Sequence, residues 1–167
     1  IPWYPVPLTG GTFAVLLSGG LLGMWRAIIA LVAYIGIGAA GGGVFATGGG
    51  WSYLADGPTT GYIIGYVIAA GLVGWVAERA LGRRVVPMAV TLIAGTAIIY
   101  LLGVAWLANW EVEGAADGWS AAVSNGVLPF LIGDFAKLAA VGALLPAGWG
   151  IAQKLGLRTG APRAGML

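Results

Sequence analysis

Five stretches of this chain are too apolar, for too long, to belong to a water-soluble domain. They are residues 11–23 (GTFAVLLSGGLLG), 25–41 (WRAIIALVAYIGIGAAG), 60–77 (TGYIIGYVIAAGLVGWVA), 85–108 (VVPMAVTLIAGTAIIYLLGVAWLA) and 127–153. A helix that crosses the hydrocarbon core of a bilayer needs about 20 mostly apolar residues. The spacing therefore predicts an all-α integral membrane protein, a compact helical bundle with five visible spans in one domain covering residues 1–167. The first span is short, and the fifth is expected to be interrupted near Pro129 and to stop or kink at Pro146. The opening IPWYPVPL, with three prolines, reads as extended chain. Composition agrees: 8% of the residues are charged, against about a quarter in soluble domains, and the mean hydropathy is +0.93.

The basic residues orient the bundle. Arg26 follows the first stretch, Arg79, Arg83 and Arg84 the third, and Lys154, Arg158 and Arg163 the fifth. The other connections carry only acids: Asp56, then Glu111, Glu113 and Asp117. Positive charge stays on the cytoplasmic side, so the C-terminus is expected inside and residues 1–10, 42–59 and 109–120 outside. The formal charge of +2 is explained by this asymmetry and does not argue for nucleic acid as a partner. Residues 1–10 lack the basic start of a signal peptide.

Two kinds of small-residue pattern stand out. Gly61, Gly65 and Ala69 recur every four residues, as do Ala70 and Gly74, which lets helices approach closely. The economical reading is packing inside the bundle. The connection 42–59 (GGVFATGGGWSYLADGPT) is also glycine-rich, but it carries Phe45, Trp51 and Tyr53. An apolar, aromatic loop is expected to fold back over the bundle as an extracellular lid rather than to extend into water.

The fifth stretch holds the feature most in need of a reason. Asp134 and Lys137 lie inside GVLPFLIGDFAKLAAVGALL, three residues apart and so on one helical face. A charge inside the membrane costs several kcal/mol, about 3 on insertion scales, unless it finds a partner or a water-filled cavity. The two could simply pair with each other. Ionisable groups in spans nevertheless mark functional sites as a rule. Asp supplies acceptors and Lys donors, so a small ligand with N–H groups, a carbonyl and an apolar body would satisfy both; a cyclic urea has that form. An ion or proton pathway would require more titratable groups than one acid in a span. The chain has no His and no Cys, which removes the usual metal ligands and general bases. Ser124 and Asn125 have no residue beside them in the sequence that could serve as a general base, so no catalytic or metal site and no cofactor is expected. No phosphate-binding G-x-x-x-x-G-K-[ST] loop is present either.

In order along residues 1–150, PVPLTGGTFAVLLSGGLLG, DGPTTGYIIGYVIAA and GVLPFLIGDFAK resemble the BioY family, the biotin-specific substrate-binding (S) components of energy-coupling factor transporters. The resemblance implies a six-helix fold in the prokaryotic cytoplasmic membrane. It implies high-affinity binding and uptake of biotin, together with a shared membrane-spanning T component and two cytoplasmic ATPases that would supply any ATP hydrolysis. Another small vitamin-like ligand, or a stand-alone carrier, is the alternative. Carried over by motif, Asp134 and Lys137 would meet the ligand's polar groups. Thr59, Gly61 and Tyr62 of GPTxGY would sit beside the pocket with Thr12 and Phe13, and Phe130 of GVLPF joins the candidate ligand contacts beneath Phe45, Trp51 and Tyr53. Many members have Gln before the Thr-Phe pair, where this chain has Gly11. The family's first helix is expected to precede Ile1.

Overall fold

The computed structural model describes residues 6–7, 9–46, 48–79, 84–110 and 118–155. Seven helices lie within them: α1 (Gly11–Leu22), α2 (Met24–Ala39), α3 (Trp51–Asp56), α4 (Thr60–Ala77), α5 (Val85–Leu107), α6 (Gly118–Gly126) and α7 (Leu131–Lys154). The third expected span coincides with α4, and the first, second and fourth match α1, α2 and α5 to within two residues at either end. Arg83, Arg158 and Arg163 and the acids Glu111, Glu113 and Asp117 lie outside the described residues.

α4, α5 and α7 are long and apolar enough to cross a membrane, whereas α1 and α2 have 12 and 16 residues. At 1.5 Å per residue a 12-residue helix reaches only about 18 Å of a hydrocarbon core of about 30 Å. α1 is correspondingly an inner helix: Val15, Leu16, Gly19 and Gly20 are buried in it, and it packs on α4, α7, α2 and α5. Apolar faces turn outward on α2 (Trp25, Ile29, Val32), α5 (Val86, Val90, Ile93) and α7 (Ile132, Phe135, Ile151), as lipid-facing helices require.

α4 is the hub. It touches α1, α2, α3 and α5, and two thirds of its residues are buried. Lipid is as apolar as a leucine side chain, so helices gain from close packing rather than from leaving water. The small residues provide that closeness. A Cβ on Gly65 would press on the backbone of Ile99, one on Gly19 on the Ala70 carbonyl, and one on Gly74 on the start of α2 at Gly23 and Met24. Both small-residue rows therefore serve internal packing.

The fifth stretch is where sequence and structure part. Residues 127–130 form a turn that separates α6 from α7, so α7 begins at Leu131, after Pro129, and α6 lies in the connection that precedes the expected span. Pro146 does not stop α7, which continues to Lys154. A proline removes one backbone donor, and such breaks are tolerated in membrane helices. At the end of α1, Gly23 (φ +81°) makes the sharp turn into α2, where Glu78 Oε1 accepts the Met24 N–H at 3.1 Å.

Candidate ligand-binding site

α1, α4 and α7 begin, and α2 and α5 end, at the same end of the bundle. A cavity of about 260 Å³ opens there, near the lower limit of about 300 Å³ for small-molecule sites. Arg26, Arg79, Arg84 and Lys154 lie at the helix ends opposite it.

Asp134 stands in the first turn of α7 and is 4% exposed. Its Oδ1 accepts from Lys137 Nζ at 2.8 Å and from the Thr12 hydroxyl at 3.3 Å, and its Oδ2 accepts from the Tyr100 hydroxyl. Lys137 also reaches Thr12 Oγ1 at 3.4 Å. Three helices thus converge on one carboxylate. A carboxylate has about four lone-pair sites, and three donors from the chain leave capacity for a ligand N–H. The ammonium has three donors, two of them used inside the chain.

Aromatic side chains form the walls. Tyr34, Tyr53, Tyr62, Tyr66, Tyr100, Phe45 and Phe130 all line the cavity. Tyr62 donates to the Gly126 carbonyl at 3.0 Å, tying α4 to the end of α6, and packs edge-on against Tyr100. The loop after α2 does fold back. Phe45, 4% exposed, stacks on Tyr53 with ring centroids 5.1 Å apart and meets Tyr34 edge-on at 5.4 Å. Phe45 and Gly48 exchange backbone hydrogen bonds, and Gly50 N–H reaches back to Gly38 O at 2.7 Å. These turns need φ of +128° at Gly48 and +117° at Gly50, a region that other residues seldom adopt. The far end of the loop is fastened to α5 and the residues that follow it: Trp106 Nε1 donates to Gly57 O at 2.9 Å and Trp110 Nε1 to Asp56 O at 2.7 Å. Thr59 donates to the Tyr53 hydroxyl at 3.1 Å.

The structure therefore gathers Thr12, Phe45, Tyr53, Thr59, Tyr62, Phe130, Asp134 and Lys137 around one cavity. Trp51, Gly61 and Phe13 are not on its wall. Trp51 is 70% exposed; it lies two positions from Tyr53 on α3, and residues two apart on a helix point to opposite sides. Gly61 faces α5, where a Cβ would overlap the Leu102 carbonyl and Trp106. Phe13 packs against the core beside Thr12. Thr9, Tyr34, Tyr66 and Tyr100 line the cavity and were missed by sequence reasoning. A signal existed for two of them. Tyr66 is one helical turn from Tyr62, and Tyr100 is a polar-tipped residue inside an apolar span, which calls for a buried partner.

A model of the BioY family matches residues 1–154. The chain is 39% identical over 135 residues to the probable biotin transporter BioY of Pyrococcus horikoshii, covering 81% of this chain and 75% of that one. It is 36% identical over 138 residues to the biotin transporter BioY of Thermotoga maritima, covering 83% and 78%. Its fold is similar to that in a crystal structure of the S-component for biotin from an ECF-type ABC transporter, with a TM-score of 0.71 at 23% identity over 87% of this chain and 76% of that one.

Proposed function

Because this chain belongs to the BioY family, we propose that it binds biotin from outside the cell and admits it as the substrate-specific subunit of an energy-coupling factor transporter. The observation that carries this reading is the Asp134 carboxylate, held by Lys137, Thr12 and Tyr100 at the base of an aromatic-walled cavity. Biotin offers what that arrangement lacks: two ureido N–H donors, a carbonyl acceptor, an apolar bicycle and an acidic tail. Asp134 accepts a ureido N–H, and Lys137 donates its remaining hydrogen to a ligand oxygen. Relatives named as biotin transporters support the substrate. Calorimetric titration of the detergent-purified protein should give strong heat with biotin and none with thiamine or riboflavin. Heat with another vitamin alone would overturn the substrate and leave the fold intact.

Arg26, Arg79, Arg84 and Lys154 at one end favour that end as cytoplasmic, with the cavity and the 42–59 loop facing outward across a prokaryotic cytoplasmic membrane. ATP hydrolysis then belongs to partners, a membrane-spanning T component and two ATPases, since the chain carries no phosphate-binding loop of its own. Retention of ATPase subunits on the tagged protein in a pulldown tests this, and a protein recovered alone yet competent in uptake points to a stand-alone carrier.

The 42–59 loop acts as the lid. Its glycines permit movement, and Phe45 and Tyr53 give it a surface to close with. Spin labels at Val44 and Ala46, both beside the cavity, should lose mobility when biotin is added. Unchanged spectra would identify a permanently seated plug.

A further inference from the structure

The first residue of α1, Gly11, has no side chain, and the space a side chain would take is already filled. A Cβ built there would lie 2.6 Å from the Tyr66 hydroxyl and 3.1 Å from Thr9 Oγ1. The first distance is below any real Cβ contact, so Gly11 and Tyr66 fit each other as hole and peg. Both line the cavity, as do Thr9 and Thr12.

The tyrosines on either side of this place use their hydroxyls inside the bundle. Tyr62, one turn earlier, uses its hydroxyl to tie α4 to Gly126. Tyr100 uses its own on Asp134. Tyr66 ends instead beside Thr9, its hydroxyl and Thr9 Oγ1 both close to the Cβ direction of Gly11. Thr9 Oγ1 accepts the Gly11 N–H at 3.1 Å, which fixes the Thr9 side chain at the start of α1. A phenolic hydroxyl on the cavity wall has an O–H to donate to a ligand oxygen. Thr12, next to Gly11, reaches Asp134, which places the Tyr66 hydroxyl at the same end of the cavity as the carboxylate.

We infer that Tyr66 is a ligand-contacting, specificity-determining residue, and that Gly11 is glycine to leave room for its hydroxyl. This rests on the biotin reading above. With Asp134 accepting a ureido N–H, the acceptor that belongs beside it is the ureido carbonyl. Tyr66 donates to that oxygen and so selects for a cyclic urea over a ring lacking the carbonyl.

The test is a double-mutant cycle read by biotin titration of the purified protein, with thermal melting of each variant alongside. Tyr66→Phe should bind biotin about 2- to 12-fold more weakly, the range for losing one neutral hydrogen bond. Gly11→Ala should lose a similar factor, because its methyl displaces the hydroxyl, even though alanine suits a helix better than glycine. The pair Gly11→Ala/Tyr66→Phe should be no weaker than Tyr66→Phe alone, since the hydroxyl that alanine displaces is already gone. The Tyr66→Phe loss should be equal for biotin and for its carboxamide, whose tail is uncharged and whose ring is unchanged. Wild-type affinity in Tyr66→Phe, with or without a fall in melting temperature, overturns the inference and leaves Tyr66 a packing residue. A loss confined to biotin and absent for the carboxamide overturns the assignment to the ring. A wild-type protein that binds no biotin fails the underlying reading, a result distinct from both.

Discussion

Asp134→Asn should bind biotin roughly 10- to 150-fold more weakly than the wild type, the equivalent of about 1.5–3 kcal/mol for hydrogen bonds to a charged group. Asparagine keeps the shape of the side chain but replaces one acceptor with a donor. Around Asp134, Lys137 Nζ, the Thr12 hydroxyl and the Tyr100 hydroxyl all point donors inward. An amide NH₂ facing the Lys137 ammonium makes no bond, facing a hydroxyl it forces that hydroxyl to turn its hydrogen away, and facing the cavity it repels the ligand N–H. Lys137→Met should also weaken binding, because the ligand loses a donor and Asp134 loses its ion-pair partner at 2.8 Å. Each single change leaves a buried group without its complement, so each should melt lower, by an amount up to the ~3–5 kcal/mol seen when a buried pair is broken. The double variant Asp134→Asn/Lys137→Met separates two roles. If the residues only hold the bundle together, the double variant recovers stability and binds as the wild type does. If they serve the ligand, it recovers stability and still binds poorly, which is the outcome expected here. Melting temperature and biotin affinity for the four proteins decide the matter, and a stable double variant with wild-type affinity would falsify the site.

What could be read from the sequence was whatever depends on one element at a time. α4 was legible to its last residue because the uncharged run that begins after Asp56 stops at Glu78, and Gly57-Pro58 breaks the chain just before the helix. The Asp134–Lys137 pair was legible because a three-residue spacing forces one face. The short helices α3 and α6 were not, since six and nine residues carry too little periodicity to distinguish a helix from a loop. The cavity wall was only half legible for a related reason. Motif membership points to a segment, but adjacent residues on a helix diverge by about 100°. Thr12 reaches Asp134 while Phe13 joins the core, and Tyr53 enters the cavity while Trp51 leaves it. Tyr34, Tyr66 and Tyr100 come together from three helices, and which of their faces meet is set by the close approach that Gly61, Gly65 and Gly74 permit.

That dependence on close approach gives the second large effect. Gly61→Leu should destabilise the protein by at least about 2 kcal/mol, although leucine is the better helix former by about 1 kcal/mol. The propensity gain is outweighed because even the Cβ overlaps the Leu102 carbonyl oxygen and Trp106. A backbone carbonyl within α5 cannot swing aside as a flexible side chain can, so α4 and α5 must separate. Overpacking of this kind costs about 1–3 kcal/mol or more, and four added heavy atoms place it at the upper end. For a chain of this size the melting temperature should drop by about 4–8 °C. Gly36→Leu is the matched control. It sits in α2 with nothing near its Cβ direction, on an outward face, so the same substitution should leave stability unchanged or slightly raised. The separation also loosens the lid, because Trp106 Nε1 holds the Gly57 carbonyl at 2.9 Å; biotin should therefore dissociate faster from Gly61→Leu as well. The sequence motif alone places Gly61 beside the ligand and makes the opposite forecast, lost affinity in a protein that melts normally. Thermal melting and biotin dissociation rates of the two leucine variants distinguish these cases: a Gly61→Leu protein with wild-type melting temperature would put Gly61 back on the cavity wall.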